Sequence, residues 1–178
     1  MKTVTVKDKT FKTYIRHKQI IKAVDKMAAD INKDLEGKVP LFLVILNGAF
    51  VFATDLMQRI KLDCEVSFVK LSSYVGTKSS NTVRELIGLD RVLKDRTVVI
   101  LEDIIDSGIT MEYTRHKLKE LEAADVKIAT LLFKPDAFKK DYNIDYIGME
   151  IPNDFIIGYG LDYDGFGRNY PDIYKIVE

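Results

Sequence analysis

A single cysteine, Cys64, stands in 178 residues, so no intramolecular disulfide can form and no zinc site can be built from thiolates. In an expected strand, it reads as a small buried or edge residue. An excess of either charge is missing too. The 27 Lys+Arg balance 27 Asp+Glu, which leaves no polybasic face of the kind that holds nucleic acid. Short basic blocks such as Lys139-Lys140 read as solvated surface. No apolar run approaches the roughly 20 residues of a membrane span. Met1-Lys2-Thr3-Val4-Thr5 lacks the apolar core of a signal peptide. The expected setting is cytoplasmic, with no nucleic acid and no membrane as partner. No internal repeat is seen.

What remains is an ordinary globular balance of 47% hydrophobic and 30% charged residues, on a chain long enough to bury a core unaided. Ile20, Ile21, Val24, Met27, Ala28, Ile31 and Leu35 recur at helical spacing, and Gly37 supplies a stop. Residues 41–46 form a continuous apolar run, as in a strand covered on both faces. Asn47-Gly48 breaks it, and 49–60 returns to helical spacing. A strand is expected at 65–71, then a long polar loop at 72–83 and a short strand at 84–88. Loops of that length are more often lids or binding loops than idle connectors. A second buried strand at 97–101 precedes a helix at 110–123, and a third strand spans 126–133. From Tyr146 onward come short strand-like pieces, aromatics and glycines. Buried strands alternating with amphipathic helices predict an α/β fold, a mostly parallel sheet flanked by helices. Ligands of such sheets sit beyond the carboxyl ends of the strands.

The densest signal there is Val98-Val99-Ile100-Leu101-Glu102-Asp103-Ile104-Ile105-Asp106-Ser107-Gly108-Ile109-Thr110. An apolar strand delivers two adjacent carboxylates to its end, and a short loop then opens a helix. Successive N–H groups in such a loop form an anion nest, reinforced by the helix N-terminus. Gly108 lets the backbone approach a phosphate closely. Ser107 and Thr110 add hydroxyl donors. The Gly-Lys-Ser/Thr ending of a P-loop is missing. Glu102 and Asp103 instead suit a polyol, accepting from neighbouring ribose hydroxyls. The plainer alternative has Asp106 capping the helix and the acidic pair solvated.

Four apolar, two acidic and two apolar residues followed by Asp-Ser-Gly-Ile-Thr resemble the phosphoribosyl-pyrophosphate motif of type I phosphoribosyltransferases. The resemblance runs from about residue 15 to 177. It implies a single domain over 1–178: a Rossmann-like core at about 37–135, and a small hood from about 1–14 and 136–178. It puts Glu102 and Asp103 at the ribose hydroxyls and their Mg2+, and wraps Asp106, Ser107, Gly108, Ile109 and Thr110 around the 5-phosphate. Leu46-Asn47-Gly48-Ala49 resembles the pyrophosphate loop, where a cis peptide is frequent. Many relatives carry Lys at the position of Asn47, so Asn47 would act mainly through its backbone, beside Gly48. Leu71-Ser72-Ser73-Tyr74-Val75-Gly76 resembles the mobile catalytic loop, with Ser73-Tyr74 as its signature pair. A lone Tyr in a polar loop suits a lid that excludes water; otherwise it is a surface aromatic.

The C-terminal part resembles the purine-specific branch. Lys134 matches the residue that donates to the purine 6-oxo group, Phe155 the aromatic that stacks on the base, and Ile156 the residue whose backbone meets its edge. Asp162 matches a magnesium-linked carboxylate and Arg168 the arginine that grips pyrophosphate. The implied reaction is purine salvage. Ribose 5-phosphate would pass from phosphoribosyl pyrophosphate to hypoxanthine or guanine, giving IMP or GMP, with Asp106 handling a proton at N7. Homo-oligomers, dimers or tetramers, are common in such a family. Lys134 argues against adenine and the 155–162 segment against orotate, while xanthine stays open. A receiver-type domain would want an acidic pair after its first strand, where this chain has Asn47-Gly48.

Overall fold

The computed structural model describes residues 2–75, 81–87 and 92–177; of 72–75 and 81–87 it describes the backbone alone. The chain runs through β1 (Thr3–Val6), β2 (Lys9–Ile15), α1 (His17–Asp34), β3 (Leu41–Leu46), α2 (Phe50–Met57) and β4 (Glu65–Val75). It continues with β5 (Asn81–Ile87), β6 (Thr97–Ile105), α3 (Ile109–Glu120), β7 (Asp125–Phe133), β8 (Tyr146–Glu150), β9 (Ile156–Ile157) and β10 (Ile173–Ile176). The larger sheet has the order β5-β4-β3-β6-β7-β8. Its pairs are parallel from β4 through β8, and β5 joins β4 antiparallel. The smaller sheet, β1-β2-β10-β9, is antiparallel and draws on both ends of the chain. Among the described residues no helix is long and apolar enough to cross a membrane.

The unbroken apolar runs of β3 and β6 have the expected cause. Phe42, Val44, Val99 and Leu101 join the core under α1 and α2, while Leu41, Leu43, Ile45, Val98 and Ile100 join the one under α3. Each strand alternates between two covered faces, so neither face can be polar. Val6, Phe11, Ile157 and Tyr174 form a third core within the smaller sheet. The central sheet reaches past residue 135 to include β8, and α1 packs against β8 and α2. Helix α2 ends earlier than its apolar spacing suggests. Asn32 accepts from the Lys61 N–H at 2.7 Å and donates to the Arg59 carbonyl at 3.0 Å, fixing a turn there.

Three local expectations change. The polar stretch 72–83 is in large part the arms of a hairpin, with Ser72 opposite Arg84, Ser73 opposite Val83 and Tyr74 opposite Thr82. Ser, Thr, Tyr and Val suit an edge strand, where one side faces water, so polarity alone misleads there. Residues 76–80, within the expected lid, lie outside the described residues, as do the side chains of Ser73 and Tyr74. Strand β6 runs to Ile105, so Glu102 and Asp103 lie inside it and not at its end. Lys140 is not a solvated charge: it is half-buried and paired with Glu112 at 2.6 Å. Cys64 is half-buried just ahead of β4, against the first core.

Candidate active site

Glu102 and Asp103 are each only 8% exposed, near the carboxyl end of a strand held on both sides by parallel neighbours. Burial pushes both carboxyls up, Glu102 well above the usual carboxylate range because it also faces the charge of Asp103. The solvated alternative is therefore wrong. The Ile104 N–H donates to Asp103 Oδ1 at 2.9 Å, and the charge of Arg168 also favours the ionised form of Asp103. A carboxyl whose pKa rises on folding binds its proton more tightly in the folded chain. Stability therefore falls as pH climbs from the ordinary Glu range through the raised value. In metal-free buffer, Glu102→Gln should melt on the order of 5 °C above the parent at alkaline pH, and the gap should close toward pH ~4. Melting curves across that range check it; a gap independent of pH would contradict it.

The segment after β6 turns at once into α3. The Asp106 carboxylate accepts from the Ser107 N–H, and Gly108, with φ of 80°, is the N-cap of the helix. Asp106 is exposed, whereas Gly108 is buried. A Cβ on Gly108 would lie 2.7 Å from both Phe138 Cε2 and the Tyr142 hydroxyl, so the position needs glycine for space as well as for its left-handed φ. The early amides of α3 at Ile109 and Thr110 lack helical partners, as at any helix start.

Asn47 and Gly48 follow β3, with a cis peptide joining Leu46 to Asn47. A Cβ on Gly48 would fall 1.7 Å from Asp103 Oδ2, so this loop lies directly against the acidic pair. From the other side, a Cβ on Gly160 would fall 2.1 Å from the Gly48 carbonyl oxygen. The segment carrying Gly160 folds back on itself. Arg168 Nη1 donates to the Gly160 carbonyl at 2.7 Å, Arg168 Nη2 pairs with Asp162 Oδ1 at 2.7 Å, and the Gly165 N–H donates to Asp162 Oδ2 at 2.7 Å. Asp162 and Arg168, expected to hold different ligands, thus hold each other. Tyr159 anchors this turn, its hydroxyl donating to Asp55 Oδ2 of α2 at 2.5 Å.

Lys134 lies just past β7, its N–H donating to the Ile105 carbonyl at 2.9 Å, one residue before Asp106. Its ammonium reaches Asn153 Oδ1 at 3.4 Å and pairs with no carboxylate among the described residues. Phe155 is 46% exposed, backed by Phe11 at 6.2 Å and by Tyr163 edge-on at 5.8 Å. The Ile176 N–H donates to the Phe155 carbonyl at 3.0 Å, so Phe155 turns its backbone groups toward β10. Orientation alternates along a strand, which turns the N–H and C=O of Ile156 to the free edge of β9.

The structure thus gathers Glu102, Asp103, Gly48 and Arg168, and sets Lys134 beside the start of the 106–110 loop. Sequence reasoning missed Phe138, Lys140 and Tyr142, which cover that loop, and the Tyr159–Asp55 anchor. Each depends on a contact between distant segments, and no spacing signals it.

Residues 11–164 match the phosphoribosyl transferase domain family. The hypoxanthine-guanine phosphoribosyltransferase of Streptococcus pneumoniae (strain ATCC BAA-255 / R6) is 41% identical over 168 residues, covering 94% of this chain and 93% of the relative. That of Bacillus subtilis (strain 168) is 38% identical over 163 residues, 91% of each. A crystal structure of the hypoxanthine-guanine enzyme of Bacillus anthracis superposes with a TM-score of 0.87 at 35% identity, covering 94% of this chain and 97% of that one. A hypoxanthine phosphoribosyltransferase of Staphylococcus aureus gives 0.88 at 31%, with coverage of 99% and 98%. Sequence, fold and the buried acidic motif agree, and the chain belongs to the phosphoribosyltransferase family, in its hypoxanthine-guanine branch.

Proposed function

We propose that this chain transfers ribose 5-phosphate from phosphoribosyl pyrophosphate to N9 of hypoxanthine or guanine, releasing pyrophosphate, with magnesium required. The observation that carries the reading is the buried Glu102–Asp103 pair between a glycine-capped helix start and the Asn47-Gly48 loop. Two carboxyls pushed up by burial, Glu102 also by the charge of Asp103, gain from hydroxyl donors or a cation. A bound ribose supplies the former beside the phosphate loop.

The donors fit magnesium, a hard cation that takes oxygen ligands, keeps several waters and needs few protein groups. Glu102 and Asp103 are the residues that would hold it, and Asp162 would join them only on releasing Arg168 or the Gly165 N–H. When bound, it offsets negative charge on the pyrophosphate. The chain's own groups do the rest. Ser107, Thr110 and the amides of Ile109 and Thr110 at the start of α3 receive the 5-phosphate. The amides of the Asn47-Gly48 loop and Arg168 stabilise the leaving pyrophosphate, where charge develops as the bond to the sugar lengthens. The sugar carbon becomes oxocarbenium-like, as in glycoside cleavage.

At the base, Phe155 stacks, Lys134 donates to the 6-oxo oxygen, and the free-edge backbone of Ile156 meets the base edge. One Asp106 oxygen is taken by the Ser107 N–H. The other holds the N7 proton as N9 becomes the nucleophile. Ser73 and Tyr74 belong to the segment that would close over the reacting atoms. The family supports a cytoplasmic homo-oligomer, a dimer or tetramer.

Pyrophosphate release from phosphoribosyl pyrophosphate and hypoxanthine tests the proposal. Release should stop on adding excess EDTA and return with magnesium. Turnover unaffected by the chelator would overturn the metal assignment, and no release with any purine would overturn the enzyme reading.

A further inference from the structure

We infer that Tyr142 is a positioning residue for the 5-phosphate, aiming the Ile109 amide by holding the carbonyl of Gly108. The inference rests on the reading of 106–110 as a phosphate loop. The Tyr142 hydroxyl donates to the Gly108 carbonyl at 2.8 Å, and the Glu112 N–H donates to the same oxygen at 2.9 Å. The Gly108 C=O and the Ile109 N–H belong to one planar trans peptide, so they point in opposite directions. Fixing the oxygen along the helix turns the Ile109 N–H outward from its start, where an anion binds. Gly108 needs such help. It has no Cβ, its φ of 80° is one of several regions open to glycine, and α3 has no side-chain cap.

The tyrosine is itself held on several sides. Phe138 packs edge-on against its ring at 5.1 Å, and Arg115 of α3 lies over the ring at 4.6 Å. Two residues earlier, Lys140 pairs with Glu112 at 2.6 Å, so the strap 138–142 grips the first turn of α3 twice. Burial pushes the Tyr142 phenol up to about 12, so it stays a donor throughout the neutral range. The strap starts at Lys134, whose carbonyl accepts from the Phe138 N–H at 3.2 Å. One short segment therefore spans from the base-side lysine to the phosphate-side glycine.

Tyr142→Phe keeps the ring and removes the donor. Ribose 5-phosphate affinity, by calorimetry, and KM for phosphoribosyl pyrophosphate should each weaken about three- to tenfold. KM for hypoxanthine and inhibition by free pyrophosphate should stay within about twofold. A general loosening would move all four constants together, and such a result overturns the assignment, as does no change in ribose 5-phosphate affinity. If Tyr142→Phe folds poorly, Lys140→Gln loosens the same strap without touching the ring. It should weaken ribose 5-phosphate about two- to threefold, again leaving pyrophosphate alone; an equal loss for both ligands overturns the idea. Calorimetry does not depend on turnover. An inactive parent that still binds ribose 5-phosphate through Tyr142 would overturn the proposed reaction and leave this inference standing.

Discussion

Asp106→Asn is expected to lower kcat by roughly a hundred- to ten-thousandfold while changing KM for phosphoribosyl pyrophosphate by only a few-fold. The substitution suits the local geometry. Asparagine keeps an oxygen that can accept from the Ser107 N–H, so the turn into α3 is retained and what is lost is the charge. In the proposed reaction that charge would be needed when the base gives up its hold on the N7 proton, in the transition state and not on binding. Steady-state kinetics with saturating magnesium separate the outcomes. A kcat within a few-fold of the parent, with a large rise in KM for the ribosyl donor, would make Asp106 part of the phosphate loop only.

Lys134→Ala should lower kcat/KM for hypoxanthine and guanine about ten- to a hundredfold, the value of a buried hydrogen bond to a charged donor. The fold should tolerate the change. The strand end is held by the backbone bond from the Lys134 N–H to the Ile105 carbonyl, and among the described residues the ammonium has only the 3.4 Å contact with Asn153. A lysine faces an acceptor well and an exocyclic amino group badly, so the preference against adenine should relax as hypoxanthine use falls. Kinetics on the three bases check this. Unchanged hypoxanthine kinetics would move recognition of the 6-position elsewhere.

Where one local pattern had one physical cause, the sequence could be read directly. Strands β3 and β6 lie between two covered faces and show it as unbroken apolar runs. The acidic pair, the loop glycine and the helix start are consecutive, so their order in the chain is already their order in space. The hairpin of β4 and β5 was harder, because its partner is another polar segment and pairing supplies what burial does not. The site's other half required tertiary contacts. Asp162 and Arg168 are six residues apart and face each other across a turn that has Asp164, Gly165 and Gly167 at positive φ. Lys140 looked like a surface charge until α3 brought Glu112 beside it. Tyr142 carried no signal at all. Its role depends on a carbonyl 34 positions away.

The central claim is that the buried acidic pair, the phosphate loop and Lys134 form one site that makes nucleotides from 6-oxopurines. Its most direct test is a competition. Equal amounts of hypoxanthine, guanine and adenine are incubated with the chain, phosphoribosyl pyrophosphate and magnesium, and the products are identified by mass. The account predicts IMP and GMP, at most a trace of AMP, and one pyrophosphate per nucleotide. A product mixture dominated by AMP, or no nucleotide from folded protein, would contradict it.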